Sequence, residues 1–287
     1  GAVVFTDKLG RDVSISQKPQ RVIILDYNAL DLWYHAGGTA VGRTGHILVD
    51  SRADEDEMGS EIKNVPIMNE AHDPVNIEMI VAQEPDLIII SPTNKTHLEA
   101  VESFEQYNIP YFAWDYDDFD GFIENLELFT LLNDRGDLYE KYASDNIIRV
   151  NAVREKISGQ EPVTMVMLLP HATNGIYALA NSGYLGNLCE DMNLENIAGV
   201  ETSTVVSIES LLDIDPEWIF SRGGSGDGSE ANAKAIFESY PLWSELTAVK
   251  EGRFQHLPAE LFLYHANTRY ADAYEYLANL VYPQIFN

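Results

Sequence analysis

One phrase occurs twice in this chain, and it limits the fold more than any other feature. Residues 76–90 (Asn-Ile-Glu-Met-Ile-Val-Ala-Gln-Glu-Pro-Asp-Leu-Ile-Ile-Ile) and 207–221 (Ser-Ile-Glu-Ser-Leu-Leu-Asp-Ile-Asp-Pro-Glu-Trp-Ile-Phe-Ser) follow one grammar. At one constant offset, Ile77 matches Ile208, Glu78 matches Glu209, Pro85 matches Pro216 and acidic Asp86 matches acidic Glu217. Asn76 and Ser207 are good N-cap residues, and apolar residues at helical spacing follow them. Each proline disfavours helix at the residue before it, so each helix ends there and an apolar strand follows. Two such helix-to-strand units imply an α/β chain of two similar lobes with a ligand cleft between them.

The chain length supports two lobes, since 287 residues exceed the usual reach of a single core. A hydrophobic content of 45% excludes a disordered chain. The net charge of −28, from 46 acidic and 18 basic residues, repels phosphate backbones and anionic headgroups, so no nucleic-acid partner is expected. Acidic stretches such as residues 54–57 read as solubility. The single cysteine, Cys189, excludes intramolecular disulfides and Cys-based zinc, and reads as a small buried hydrophobe. No run of 18 apolar residues exists. The sequence begins directly in strand-like residues, and any signal segment is expected to have been removed.

Along the chain, residues 3–15 alternate as a β-hairpin around Leu9-Gly10-Arg11. Strands are expected at 21–25, 39–41, 64–68, 86–90 and 110–113, with helices at 29–36, 97–106 and 119–132, a rhythm that implies a parallel sheet. Residues 136–158 form one long helix with an apolar stripe of Tyr139, Ala143, Ile147, Val150, Val153 and Ile157. At roughly 35 Å it is long enough to join two lobes. Strands at 163–169, 218–220 and 254–257 and helices at 183–192, 207–213, 231–239 and 271–280 then repeat the pattern. The expected organisation is an N-terminal lobe over 1–135, a bridging helix over 136–158 and a C-terminal lobe over 159–287. Ligands of open parallel sheets sit beyond the carboxyl ends of the strands.

Several chemistries lack their motifs. The glycine-rich residues 223–228 have neither the Gly-Lys-Ser/Thr ending of a phosphate loop nor the last glycine of a nucleophile elbow. The aspartates at 115, 117, 118 and 120 have Phe119 and Leu126 where a calcium loop needs oxygen ligands. The seven histidines are scattered, without a pair one helical turn apart. No catalytic constellation stands out, and the chain is expected not to be an enzyme.

Phe5-Thr6-Asp7-x-Leu9-Gly10-Arg11-x-Val13, Pro19-x-Arg21-Val22-Ile23, Val41-Gly42, and Asn76-Ile77-Glu78 with Pro85-Asp86-Leu87-Ile88-Ile89 occur in this order. Together with the long helix, the second phrase and the closing residues 269–286, this order resembles the substrate-binding proteins of bacterial iron-siderophore, haem and cobalamin ABC importers. The resemblance covers nearly the whole chain. It implies two α/β lobes with central sheets, joined by one rigid helix, with little closure on binding. It implies an extracytoplasmic monomer, periplasmic or a cell-surface lipoprotein, that touches the membrane only through a lipid anchor absent from this chain. It also implies that Glu78 and Glu209 dock onto arginines of the permease dimer. The residues alone offer another role, since a glutamate in a helix's first turn favours the positive end of its dipole.

The resemblance places the ligand in loops after strands, which supply Tyr27, Asn28, Arg43, His46, Met68, Asn69, Trp114, Tyr116, His171, Arg222, Phe262, Tyr264 and His265. Aromatic faces with a few arginine donors suit a flat or greasy chelate with carboxylate or metal–oxygen edges. Because only Arg43 and Arg222 among them are strongly basic, a neutral or weakly charged hydroxamate-type ferric chelate, a porphyrin or a corrinoid is favoured over an anionic catecholate. Haem would call for an axial ligand, for which Tyr27, His46, His171 and His265 are candidates. No covalent cofactor is expected. A bare metal or small oxyanion held by histidines and arginines is a second reading, and an α/β hydrolase a third that rests on fold analogy.

Overall fold

The computed structural model describes residues 1–52, 55–70, 72–223 and 228–286, with side chains omitted at 51 and 52. Asp54 of the acidic stretch and residues 224–227 of the glycine-rich loop lie outside the described residues. The chain divides into two compact units, Gly1–Asp145 and Asn146–Asn287. The division falls inside the helix Gly136–Ile157. The C-terminal half of that helix is tied to the second unit by Asn146, which is fully buried. Its side chain donates to Thr268 O at 3.0 Å and accepts from Ala271 N at 2.9 Å.

The first unit opens with the antiparallel hairpin of β1 (Ala2–Thr6) and β2 (Asp12–Ser16), in the register Val3 to Ile15. Then come β3 (Val22–Ile24), β4 (Gly42–Gly45), β5 (Ile67–Glu70), β6 (Leu87–Ile90) and β7 (Tyr111–Ala113). They form a parallel sheet ordered β5-β4-β3-β6-β7. β3 and β6 lie centrally, as their fully buried aliphatic runs require. The strand order reverses at β3, whose neighbours β4 and β6 lie on either side, and in open α/β sheets such a switch point is where ligands bind, outside the carboxyl ends of the strands.

The second unit contains β8 (Val163–His171), β9 (Gly175–Ala178), β10 (Leu194–Asn196), β11 (Thr204–Val206), β12 (Trp218–Ser221) and β13 (Phe254–His256). The sheet order is β11-β9-β8-β12-β13, with β10 parallel to the start of β8. β8, β12 and β13 are parallel, whereas β9 and β11 add an antiparallel edge. The expected all-parallel sheet is therefore corrected here. Gly175, at φ 94°, closes a tight turn that a residue with a Cβ would resist, and β9 folds straight back on β8. Phe237 stacks on Trp243 at 4.3 Å within the core formed against Val166, Leu168 and Ile219.

The doubled phrase forms the same structure twice. Asn76 accepts from Met79 N at 3.1 Å to cap the helix Ile77–Ala82, and Ser207 accepts from Ser210 N at 3.1 Å to cap Ile208–Ile214. Ahead of each proline stands a left-handed residue, Glu84 at φ 48° and Asp215 at φ 39°. The strands that follow, β6 and β12, each lie inside their sheet.

Two strands lie later in the chain than expected, and this moves three candidate loop residues, Arg43, Met68 and Asn69, into strands. Strand β4 starts at Gly42 rather than ending at residue 41, and β5 starts at Ile67. Gly42 reads as a turn residue, yet it lies in the sheet because a Cβ there would meet Met68 Cγ at 2.7 Å. Arg43 is consequently a buried strand residue, and Met68 is core.

Candidate functional site

In the first unit, Asp26 follows β3 and accepts from Ala29 N at 3.0 Å, capping the helix Tyr27–His35. Desolvation, opposed by this bond and reinforced by nearby Asp115, pushes its carboxyl up to about 6. Tyr27, at the helix start, and His46, just after β4, come together as a stack with centroids 4.1 Å apart and planes at 17°. Burial lowers the His46 imidazole to about 4, so it is neutral at physiological pH. Leu48 N donates to its Nδ1 at 3.1 Å, which leaves the ring proton on Nε2. That tautomer is the wrong one for Nε2 to ligate a metal. Asn28 is half-buried in the first turn of the same helix. Trp114, half-buried after β7, packs edge-on against Phe5 at 5.7 Å under the Lys8 ammonium at 4.7 Å. Its buried indole N–H has no protein acceptor.

Four other first-unit candidates lie in the interior. Arg43 donates to Thr44 O at 2.9 Å and Lys63 O at 3.2 Å, and desolvation lowers its pKa. Met68 packs in the aliphatic core, and Tyr116 is buried edge-on to Phe122 at 5.7 Å. Asn69 is buried in β5 with both amide atoms lacking partners.

In the second unit, the carboxyl ends of β8, β12 and β13 bring His171, Arg222 and the run Phe262–His265 to one end of the sheet. Arg222 is half-buried and donates to Gly223 O at 3.1 Å. Desolvation lowers its pKa, opposed among the described residues by the field of the Tyr264 phenol, itself pushed up by desolvation. No carboxylate among the described residues pairs with the Arg222 guanidinium, although the chain carries 46 acidic residues. Arg222 and Ser203 stand in the walls of two cavities. One, of about 310 Å³, is also lined by His171, Tyr177, Asn232 and His256, and among the described residues no Asp or Glu lines it. The other, of about 220 Å³, has Phe262 in its wall. The Nδ1 of His171 has no protein partner. His265 lies tilted over Tyr184 at 4.7 Å, and burial lowers its pKa to about 4.

Sequence reading missed His256 and Ser221. Ser221 Oγ lies 2.7 Å from His256 Nδ1, and His256 Nε2 lies 2.9 Å from Gly228 O. A carbonyl only accepts, so Nε2 carries the proton and the serine hydroxyl donates to Nδ1. The imidazole thus links the Ser221 hydroxyl at the end of β12 to the Gly228 carbonyl. The pair becomes visible only in the parallel register that sets Ser221 opposite His256.

Glu78 and Glu209 are exposed in the first turns of their helices. Among the described residues no group of three or more His, Cys, Asp or Glu could hold a metal ion, and no helix is long and apolar enough to cross a membrane.

Residues 22–261 match the family described as periplasmic binding protein. The vitamin B12-binding protein of Vibrio campbellii is 25% identical over 229 residues, covering 78% of this chain and 79% of that protein. The Fe(3+)-citrate-binding protein YfmC of Bacillus subtilis is 24% identical over 262 residues, covering 87% and 76%. The fold is similar to that of the molybdate periplasmic binding protein MolA of Haemophilus influenzae, with a TM-score of 0.77 at 19% identity, covering 99% of this chain and 92% of that one. With the family match spanning both sheets, the chain belongs to the periplasmic binding protein family and is a solute-binding protein rather than an enzyme.

Proposed function

We propose that this chain is the extracytoplasmic substrate-binding component of an ABC importer, and that it captures a ferric chelate with oxygen atoms on its outer edge. The observation that carries this reading is Arg222. A half-buried guanidinium without a carboxylate partner among the described residues is costly to keep in a folded protein, and the oxygens of a ligand would offset that cost. The 310 Å³ cavity beside it presents imidazole, phenol, amide and hydroxyl groups, which suit the carboxylate, hydroxamate or carbonyl oxygens of a chelate. Family membership, and the cobalamin and ferric citrate named for two relatives, support the same class of cargo. The hydrogen bond that Leu48 N donates to His46 Nδ1 places the ring proton on Nε2, which speaks against haem ligation by that residue.

Titration of the purified protein with ferric hydroxamate and ferric citrate complexes, haem and cobalamin, read by Trp quenching and absorbance, tests the reading. A saturable response to a ferric chelate without turnover supports it, and silence toward all four overturns it.

A further inference from the structure

The Arg222 guanidinium is steered by a backbone carbonyl, since its Nη1 donates to Gly223 O at 3.1 Å. Where that carbonyl sits depends on what Gly223 rests against. A Cβ on Gly223 would meet Gly228 O at 2.7 Å and Gly228 Cα at 3.0 Å, so the two glycines are in direct contact and the obstacle is backbone, which cannot swing aside. Gly228 is held in turn by His256, whose Nε2–H donates to Gly228 O at 2.9 Å. The imidazole itself has little freedom. It is 8% exposed, its Nδ1 accepts from the Ser221 hydroxyl at 2.7 Å, and the parallel register of β12 and β13 sets Ser221 beside it. Gly228 also precedes Ser229, which caps the helix Glu230–Glu238 by accepting from Asn232 N at 3.1 Å. One ring therefore joins the ends of β12 and β13 to the start of that helix. Arg222, Gly223, Gly228 and His256 all line the 310 Å³ cavity.

We propose that His256 is a positioning residue: through Gly228 and Gly223 it fixes the Arg222 guanidinium in the cavity wall before a ligand arrives. An arginine ordered in advance gives up less side-chain freedom on binding, which tightens the capture of a ligand that presents oxygens. The part Arg222 plays in capture rests on the ferric-chelate reading above, whereas the ordering of its side chain is a property of the ligand-free protein.

The Nε–H signal of Arg222 in heteronuclear NMR spectra of the full, ligand-free chain reads that ordering. The signal is assigned by its loss in Arg222→Lys, and Arg154, ion-paired with Asp191 at 2.6 Å, is the internal control. His256→Leu should lower the order parameter at Arg222 and leave that at Arg154 unchanged. His256→Gln, whose amide can still donate to Gly228 O, should keep the wild-type order. Gly223→Ala leaves the imidazole in place but displaces Gly228, and it should reproduce the loss even where His256→Leu fails to fold. Affinity for ferric citrate should fall about tenfold in His256→Leu and Gly223→Ala, the scale of a lost support behind a ligand-holding side chain, and stay within about twofold of wild type in His256→Gln. An Arg222 signal unchanged in both His256→Leu and Gly223→Ala, or an equal loosening of Arg154, overturns the positioning role. An ordered Arg222 with silence toward ferric siderophores, ferric citrate, haem and cobalamin overturns the chelate reading instead.

Discussion

Arg222 and Asp26 are each held in a charge state that burial opposes, one in each unit, and their substitution should separate function from stability. Arg222→Gln removes a partly desolvated cation together with its contact to the ligand. Affinity for the captured chelate is expected to fall at least tenfold by calorimetric titration, while the melting temperature stays constant or rises. Arg222→Lys should not restore affinity, because an ammonium lacks the planar fork that holds two oxygens. Asp26 behaves differently. Its folded pKa, about 6, lies above the ordinary carboxylate value of 3.8 because of desolvation. The stability linked to it is fully present below about pH 4 and is lost as pH rises through 6. Asp26→Asn keeps a side-chain acceptor for Ala29 N and removes the titration. The variant should gain about 3 kcal/mol over the wild type at pH 8 and little at pH 4, on the scale of about 1.4 kcal/mol per pKa unit. Urea midpoints at the two pH values check this, and a gain that is the same at both would contradict it.

The repeated helix-to-strand element allows a comparison of the chain with itself. Glu84 and Asp215 occupy the same left-handed position before the proline, a conformation that costs a residue bearing a Cβ roughly 1–2 kcal/mol. Asp215 has compensation: its carboxylate accepts from Thr247 N at 3.2 Å and Thr247 Oγ1 at 2.6 Å. The Glu84 side chain is exposed. Glu84→Gly should therefore be neutral or stabilising by up to about 1 kcal/mol, whereas Asp215→Gly should be destabilising by a similar amount, as chemical denaturation would show. This element was legible because three strong cues coincide: a capping side chain, an apolar helical turn and a proline. The antiparallel edge was not, since strands of three or four residues such as β9 and β11 carry too few side chains to show a period. β4 was misplaced because Gly42 reads as a turn, although it is there to make room for Met68. That error also put Arg43 in a loop. The places of Tyr27 and Arg222 just after β3 and β12 were legible because strand ends are easy to locate after apolar runs. The His256–Ser221 tether was out of reach because it depends on pairing between residues far apart in sequence.

At the scale of the whole molecule, a net charge of −28 makes any contact with another macromolecule an electrostatic event. On the proposed docking of Glu78 and Glu209 to permease arginines, each unit contributes one exposed carboxylate at the first turn of a capped helix. Each unit also repeats the elements that hold this carboxylate, so the two contacts should be energetically alike. Both glutamates are exposed and lie in helices at the other end of the strands from the ligand loops, since each helix leads into the amino end of its strand. Docking and capture should therefore be separable. Reversing either charge, as Glu78→Arg or Glu209→Arg, is expected to weaken association with the reconstituted permease several-fold, and reversing both to abolish uptake. Affinity for the chelate should stay within twofold of wild type in all three variants. The cost of each reversal should shrink as salt is raised from 0.05 M to 0.5 M, because exposed charge pairs are screened over about 10 Å at 0.1 M and less above it. Vesicle uptake and binding assays across that salt range read both quantities. Loss of chelate affinity in Glu78→Arg or Glu209→Arg would assign the glutamates to the ligand rather than the permease. A loss of uptake that ignores salt would point to a packing defect at the helix N-terminus instead of a docking contact.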